Sequence, residues 1–140
     1  MSAPRDRDRL EALEAILDEL RERDPGVAII VEGDRDVAAL TALGVPPPIV
    51  KINQGISLLN LCEDLIRTHR SFIILTDWDR KGGQLARHLE RHFQASGVNI
   101  DVTTRRRLRR ALPYQIHDIE SLDGHVNRLR AAVRIVAGRP

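Results

Sequence analysis

The spacing of apolar positions changes abruptly along the chain, and each change marks an element. Leu10, Leu13, Ile16, Leu17 and Leu20 recur every three or four residues, which predicts an amphipathic helix over about residues 7–23, ended by Asp24-Pro25-Gly26. Val27-Ala28-Ile29-Ile30-Val31 is instead a continuous, β-rich apolar run, the pattern of a strand buried on both faces. A helix from Asp34 or Arg35 to Leu43 follows, stopped by Gly44, with Pro46-Pro47-Pro48 as a rigid connector. Ile49-Val50-Lys51-Ile52 predicts a second short strand, and Ser57 an N-cap for a helix from Leu58 to about His69. The third strand, Phe72 to Thr76, stops at Asp77 and Asp79. A helix from about Arg80 to Ser96 carries Leu85, Leu89, His92 and Phe93 on one face, and Gly97 closes it. Val98-Asn99-Ile100-Asp101-Val102 alternates, as an edge strand would. Beyond it lie a basic block, Arg105-Arg106-Arg107-Leu108-Arg109-Arg110, and a last helix from near Glu120 or Ser121 to Val136. Strands alternating with helices predict an α/β fold: a four-stranded parallel sheet of order 2-1-3-4 with helices on both faces.

Composition narrows the class. A chain of 140 residues, 42% hydrophobic and 30% charged, describes one globular domain with a real core. Cys62 stands alone, which excludes an intrachain disulfide and a multi-cysteine zinc site, and its leucine-rich surroundings make it a small buried hydrophobe. No apolar run approaches the length of a membrane span, and Met-Ser-Ala-Pro-Arg-Asp-Arg-Asp-Arg is not a signal segment, so a cytoplasmic protein is expected. Net charge is only +2, but of 22 basic residues all except Lys51 and Lys81 are arginines. Arginine binds phosphate bidentately, so the bias permits a nucleic-acid partner, RNA or DNA, without requiring one.

The candidate chemistry lies at the strand ends. Glu32 ends the first strand as Asp77 and Asp79 end the third, and order 2-1-3-4 makes those strands neighbours at the switch point where open α/β sheets bind ligands. Three acids pressed together repel unless a cation sits between them. Hard oxygen donors that leave water positions open suit Mg²⁺, with Mn²⁺ as a substitute. Such an ion can bridge phosphate oxygens and stabilise charge at phosphorus. Arg35, Arg80 and Lys81 are placed to hold the rest of a phosphate chain, and Gly33, Gly82 and Gly83 to let it approach the main chain.

Two segments, Val-Glu-Gly-Asp-Arg-Asp-Val-Ala-Ala-Leu at 31–40 and Thr-Asp-Trp-Asp-Arg-Lys-Gly at 76–82, resemble the signature motifs of the Toprim domain. That domain is shared by topoisomerases, bacterial-type primases and several nucleases. Lys-Ile-Asn-Gln-Gly at 51–55 resembles the family's intervening turn, which brings in Asn53 and Gly55. The resemblance covers about residues 27–102, leaving 103–140 as a basic segment and C-terminal helix, and is closest to the small stand-alone Toprim proteins of archaea and bacteria. It implies a Toprim, Rossmann-like fold, Mg²⁺, and phosphodiester chemistry on nucleic acid, as a nuclease or processing factor. By position it implies Glu32 as general acid or base, Asp77 and Asp79 as metal ligands, and Gly33 and Asp36 as the remainder of the first motif. No second domain is expected that would supply a topoisomerase's nucleophilic tyrosine or a primase's polymerising module.

Plainer readings stand beside these. Asp79 also suits the N-cap of the helix starting at Arg80, and Asp34 that of the second helix. Glu32 is a poor cap and costly to bury unpaired. Tyr114 reads as a packing residue, and His88 and His92 as surface and core edge rather than zinc ligands. Asp118 and Glu120 serve the start of the last helix unless the chain folds back over the site. The arginine block is either a solvated face or a basic surface continuous with the crevice. Two other functional classes remain: a non-catalytic nucleic-acid-binding or accessory subunit, and a phosphate-receiver signalling domain. The second is disfavoured by the glycine-rich strand exits.

Overall fold

The structure, a computed structural model, describes residues 3–137; residues 1–2 and 138–140 of the expected 1–140 domain, and of the segments read at each end, lie outside it. Four short parallel strands form one sheet: β1 (Val27–Val31), β2 (Ile49–Lys51), β3 (Ser71–Ile74) and β4 (Asn99–Asp101). Their order is β2-β1-β3-β4, as the alternation predicts. Register pairs Ile30 of β1 with both Val50 and Ile74, so the central strands end level with each other. Six helices wrap the sheet: α1 (Ala3–Glu22), α2 (Asp34–Ala42), α3 (Leu58–Thr68), α4 (Arg80–Ala95), α5 (Thr103–Ala111) and α6 (Leu122–Ala137). A 3₁₀ turn, Ile119–Ser121, precedes α6.

Strand side chains alternate between two cores because successive residues point to opposite faces. Ile29, Val31, Ile73 and Leu75 meet α1, α2, α5 and α6; Ala28, Ile30, Phe72 and Ile74 meet α3 and α4. On the first face the α1 stripe Leu13, Ile16, Leu17 and Leu20 is almost wholly buried. Each such side chain contributes about 1.5–3 kcal/mol. On the second face Phe72 stacks on Phe93 at 4.2 Å between ring centroids. Cys62 lies buried among the α3 leucines, and burial pushes its thiol up to about 11, out of the nucleophilic range. No helix among the described residues is long and apolar enough to cross a membrane.

Two local expectations, for Asp34 and Tyr114, are corrected, and the basic block gains a conformation. Gly33, not Asp34, is the N-cap of α2: the Asp36 carboxylate reaches back to the Gly33 N–H at 3.1 Å, while Asp34 points outward and pairs with Lys51 at 2.8 Å. The arginine block is a helix, α5. Asp101, the last residue of β4, accepts from the N–H groups of Thr103 and Thr104 at 2.7 and 3.0 Å and so satisfies its first turn. Tyr114 packs into no core; it is 80% exposed.

Candidate metal and phosphate site

Glu32 and Asp77 leave adjacent strand ends and are locked together. The Asp77 N–H donates to Glu32 Oε2 at 2.7 Å across 45 residues of sequence, closing β1 and β3 into one edge. Beyond β2 the same edge continues: Ile52 N–H donates to the Val31 carbonyl at 2.8 Å and Asn53 N–H to that of Glu32 at 3.1 Å. The result is an open crevice of about 660 Å³ at the carboxyl end of the sheet, lined among others by Gly33, Asn53 and Gly55. Its ionisable lining is lopsided: Glu32, Asp34, Asp36, Asp77, Asp118 and Glu120 against Arg35 and Lys81.

The loop after β3 is held from every side. Thr76 Oγ1 donates to the Gly82 carbonyl at 2.7 Å, and Asp79 caps α4 by accepting from the Gly82 N–H at 2.7 Å. Gly82 itself presses on the Asp77 backbone, so a Cβ there would sit 1.9 Å from the Asp77 carbonyl oxygen. Arg105 reaches across from α5, donating to the Thr76 carbonyl at 2.9 Å and also to that of Asp77. The Trp78 ring N–H answers on the Arg105 carbonyl at 2.9 Å, and the Trp78 backbone N–H on that of His117 at 2.8 Å.

The acids therefore take different roles from those expected. Asp79 does not line the crevice with Glu32 and Asp77: its Oδ1 caps α4 at the Gly82 N–H, the plainer of its two readings. Gly82 gives room to the Asp77 main chain rather than to a substrate, and neither Arg80 nor Gly83 lines the crevice. Asp36 is buried at 6% exposure, holding the Gly33 turn, and burial raises its pKa. Asp118 and Glu120 do come near, because the chain after α5 folds back over the strand ends. Asp118 caps the 3₁₀ turn at the Ser121 N–H (2.9 Å), Glu120 faces Arg35 at 3.9 Å, and the Ile119 N–H donates to Asp77 Oδ1 at 3.0 Å. Sequence reasoning missed Arg105, Trp78 and the Ile119 amide as supports of the site. The one available signal was Leu108 and Leu112 at helical spacing within the basic run.

The block of arginines also divides. Arg107 forms a two-pronged pair with Glu19 of α1 at 2.6 and 2.8 Å, Arg105 is a backbone clamp, and Arg106 and Arg110 are exposed. A continuous basic surface running from 105 to 107 into the crevice is thus not what this segment builds, since an amphipathic helix turns successive residues to different sides.

Asp77 carries the largest electrostatic strain at the site. Burial pushes its carboxyl up to about 7, the negative charges of Glu32, Asp36 and Asp118 add to the rise, and the Ile119 amide opposes it. A folded-state pKa raised above the ordinary 3.8 means stability that is complete below pH about 4 and is lost as pH climbs through about 7. Asp77→Asn keeps an oxygen for the Ile119 amide and removes the charge. In EDTA, urea unfolding should find it equal to the parent at pH 4 and more stable by roughly 1–3 kcal/mol at pH 8. Parallel stability curves at the two pH values would contradict this.

Among the described residues no three carboxylate, histidine or cysteine side chains form a ready-made metal cage. Mg²⁺ does not need one, since it commonly takes one or two carboxylates and completes its shell with water and substrate phosphate. Glu32 and Asp77 supply hard oxygen donors, and a cation would offset both the burial of the Asp77 charge and its repulsion by Glu32, Asp36 and Asp118. The donor set therefore fits Mg²⁺, with Asp77 as the side chain that would hold it and Glu32 as a negative charge beside it.

A parallel sheet of order 2-1-3-4, with a glutamate ending one central strand and an aspartate turn ending the other, defines a Rossmann-like domain with an acidic switch-point crevice. The Toprim domain model matches residues 27–111, and the chain belongs to that family. Among its relatives is a UPF0292 protein of Methanosarcina barkeri, 41% identical over 125 residues, which cover 89% of this chain and 87% of that protein. Another, from Pyrococcus horikoshii, is 42% identical over 111 residues, 78% of this chain and 80% of that one. A solved structure from Aquifex aeolicus shares the fold with a TM-score of 0.68 at 22% identity, covering 78% of this chain and 96% of that one. Toprim membership carries a metal-dependent, nucleic-acid-related role.

Proposed function

We propose that the chain is a Mg²⁺-dependent enzyme of nucleic-acid phosphodiester bonds, a nuclease or an RNA- or DNA-processing protein of nuclease type. The observation that carries this reading is the locked pair Glu32 and Asp77 at the head of a crevice with six carboxylates and two cations. Such a crevice repels an anionic substrate when empty and accepts it once a cation is bound, which ties phosphate binding to metal binding. When bound, the metal supplies charge stabilisation at phosphorus.

The chain's own residues do the rest. Asp77 is oriented by the Ile119 amide and by Arg105, which fixes the backbone on either side of it. Glu32 has Oε2 committed to the Asp77 N–H, which sets its rotamer and leaves Oε1 to take a proton from an attacking water or return one to the leaving oxygen. Lys81, in the first turn of α4, and Arg35, in that of α2, stand on the rim where they can hold flanking phosphates.

The test is incubation with end-labelled single-stranded and duplex RNA and DNA in Mg²⁺, Mn²⁺ or EDTA, with thermal unfolding followed in parallel. Products in the metal lanes only, and a higher unfolding temperature with Mg²⁺, are expected. Binding without products in any lane would assign the chain to the accessory, non-catalytic role instead.

A further inference from the structure

We propose that Tyr114, braced by His117 and Arg109, is a base-stacking platform for single-stranded nucleic acid beside the acidic crevice. This rests on the nucleic-acid reading above and adds which strand form is bound and by which residues. Tyr114 is the only tyrosine, and the residue is 80% exposed. Single exposed apolar groups are ordinary, but this ring is held rather than loose. The His117 ring stands nearly perpendicular to it at 5.8 Å and 81°, and the Arg109 guanidinium lies over it 5.6 Å from its centroid, while the residue stays largely open to solvent. Its loop is fixed as well: the Ile116 N–H donates to the Pro113 carbonyl at 3.1 Å, and Arg109 donates to the carbonyls of Ile116 and Tyr114 at 2.8 and 3.5 Å.

The same loop is tied to the site. His117 accepts from the Trp78 N–H at 2.8 Å, one residue after Asp77, and the next residue, Asp118, lines the crevice. A base stacked on Tyr114 would therefore belong to a strand whose phosphates pass the Glu32–Asp77 pair. Charge points the same way. Arg106 and Arg109 are one turn apart on α5, and neither has an acidic partner within ion-pair distance among the described residues, whereas Arg107 is neutralised by Glu19. An exposed, pre-oriented aromatic ring next to unneutralised arginines is the combination that holds single strands, by stacking on the base and pairing with the backbone. A duplex buries its base faces in its own stack and offers the ring nothing.

Fluorescence anisotropy with Ca²⁺ in place of Mg²⁺, so that the crevice holds a hard cation while turnover is suppressed, tests this with a labelled oligothymidylate, an oligouridylate and a duplex of equal length. The parent should prefer the single strands. Tyr114→Ala should weaken single-strand binding by about 10- to 100-fold while leaving duplex binding and thermal unfolding unchanged, and Tyr114→Phe should keep the parental affinity. Arg106→Gln should lower the log–log salt slope by about 0.7, one phosphate contact. Single-strand affinity unchanged in Tyr114→Ala overturns the platform while leaving the nucleic-acid reading intact, and so does an equal loss in Tyr114→Phe, which would assign the effect to the hydroxyl. A parent that binds neither single strand nor duplex overturns both.

Discussion

Gly82→Ala is expected to destabilise the protein by roughly 3 kcal/mol or more, a loss out of proportion to one methyl group. The added Cβ would lie 1.9, 2.5 and 2.9 Å from the carbonyl oxygen, carbonyl carbon and nitrogen of Asp77. All three are main-chain atoms, which cannot rotate aside as a side chain would. Relief requires α4 to lift or the loop after β3 to move. Either motion breaks the Thr76–Gly82 and Asp79–Gly82 hydrogen bonds at 2.7 Å, and moving the loop also breaks the Arg105 clamp on the Thr76 and Asp77 carbonyls. A moved loop carries Asp77 with it, and Mg²⁺-dependent stabilisation should then disappear as well. Gly83→Ala is the matched control: nothing stands within 4 Å of its Cβ, and replacing a helical glycine should be neutral or stabilising by up to about 1 kcal/mol. Urea unfolding of both variants checks the pair. Equal effects would mean that the close approach of α4 to Asp77 does not govern this turn.

Glu32→Gln is expected to lower turnover by roughly 10²–10⁴-fold, a deficit that persists at saturating Mg²⁺. The amide oxygen can still accept from the Asp77 N–H at the position Glu32 Oε2 now occupies, so the strand ends stay joined. What is lost is the capacity to hold or move a proton. Asp77→Asn removes charge from a group that would bind the metal, so its activity should recover in part as Mg²⁺ is raised. Rates measured across a Mg²⁺ series distinguish the two. Rescue of Glu32→Gln by metal as readily as Asp77→Asn would make Glu32 a ligand rather than a proton carrier.

How the two aspartates after β3 diverge shows the limit of reading them from spacing. Asp77 and Asp79 are equivalent in an Asp-x-Asp pattern, and extended backbone would send both side chains the same way. In the fold the chain turns into α4 immediately, so Asp79 meets the unpaired N–H groups of a helix start while Asp77 meets Glu32 and the Ile119 amide. Local demand for a cap separated two residues that the motif treats alike.

The sequence by itself determined the strands, their parallel order and the meeting of Glu32 with Asp77, because burial on both faces demands continuous apolar runs and short crossovers permit few topologies. It also determined the caps that are satisfied within a few residues, such as Ser57 on the Asn60 N–H. Only the tertiary structure decided what crosses long stretches of chain. The Arg105 clamp lies 28 and 29 residues from its acceptors, the Ile119 amide 42 from Asp77, and α5 emerged as a helix because Leu108 and Leu112 found the α1 core. The Arg105 and Ile119 hydrogen bonds leave no periodic trace, since a backbone group pairs with any partner that the fold brings to it and no residue type at its own position announces that partner.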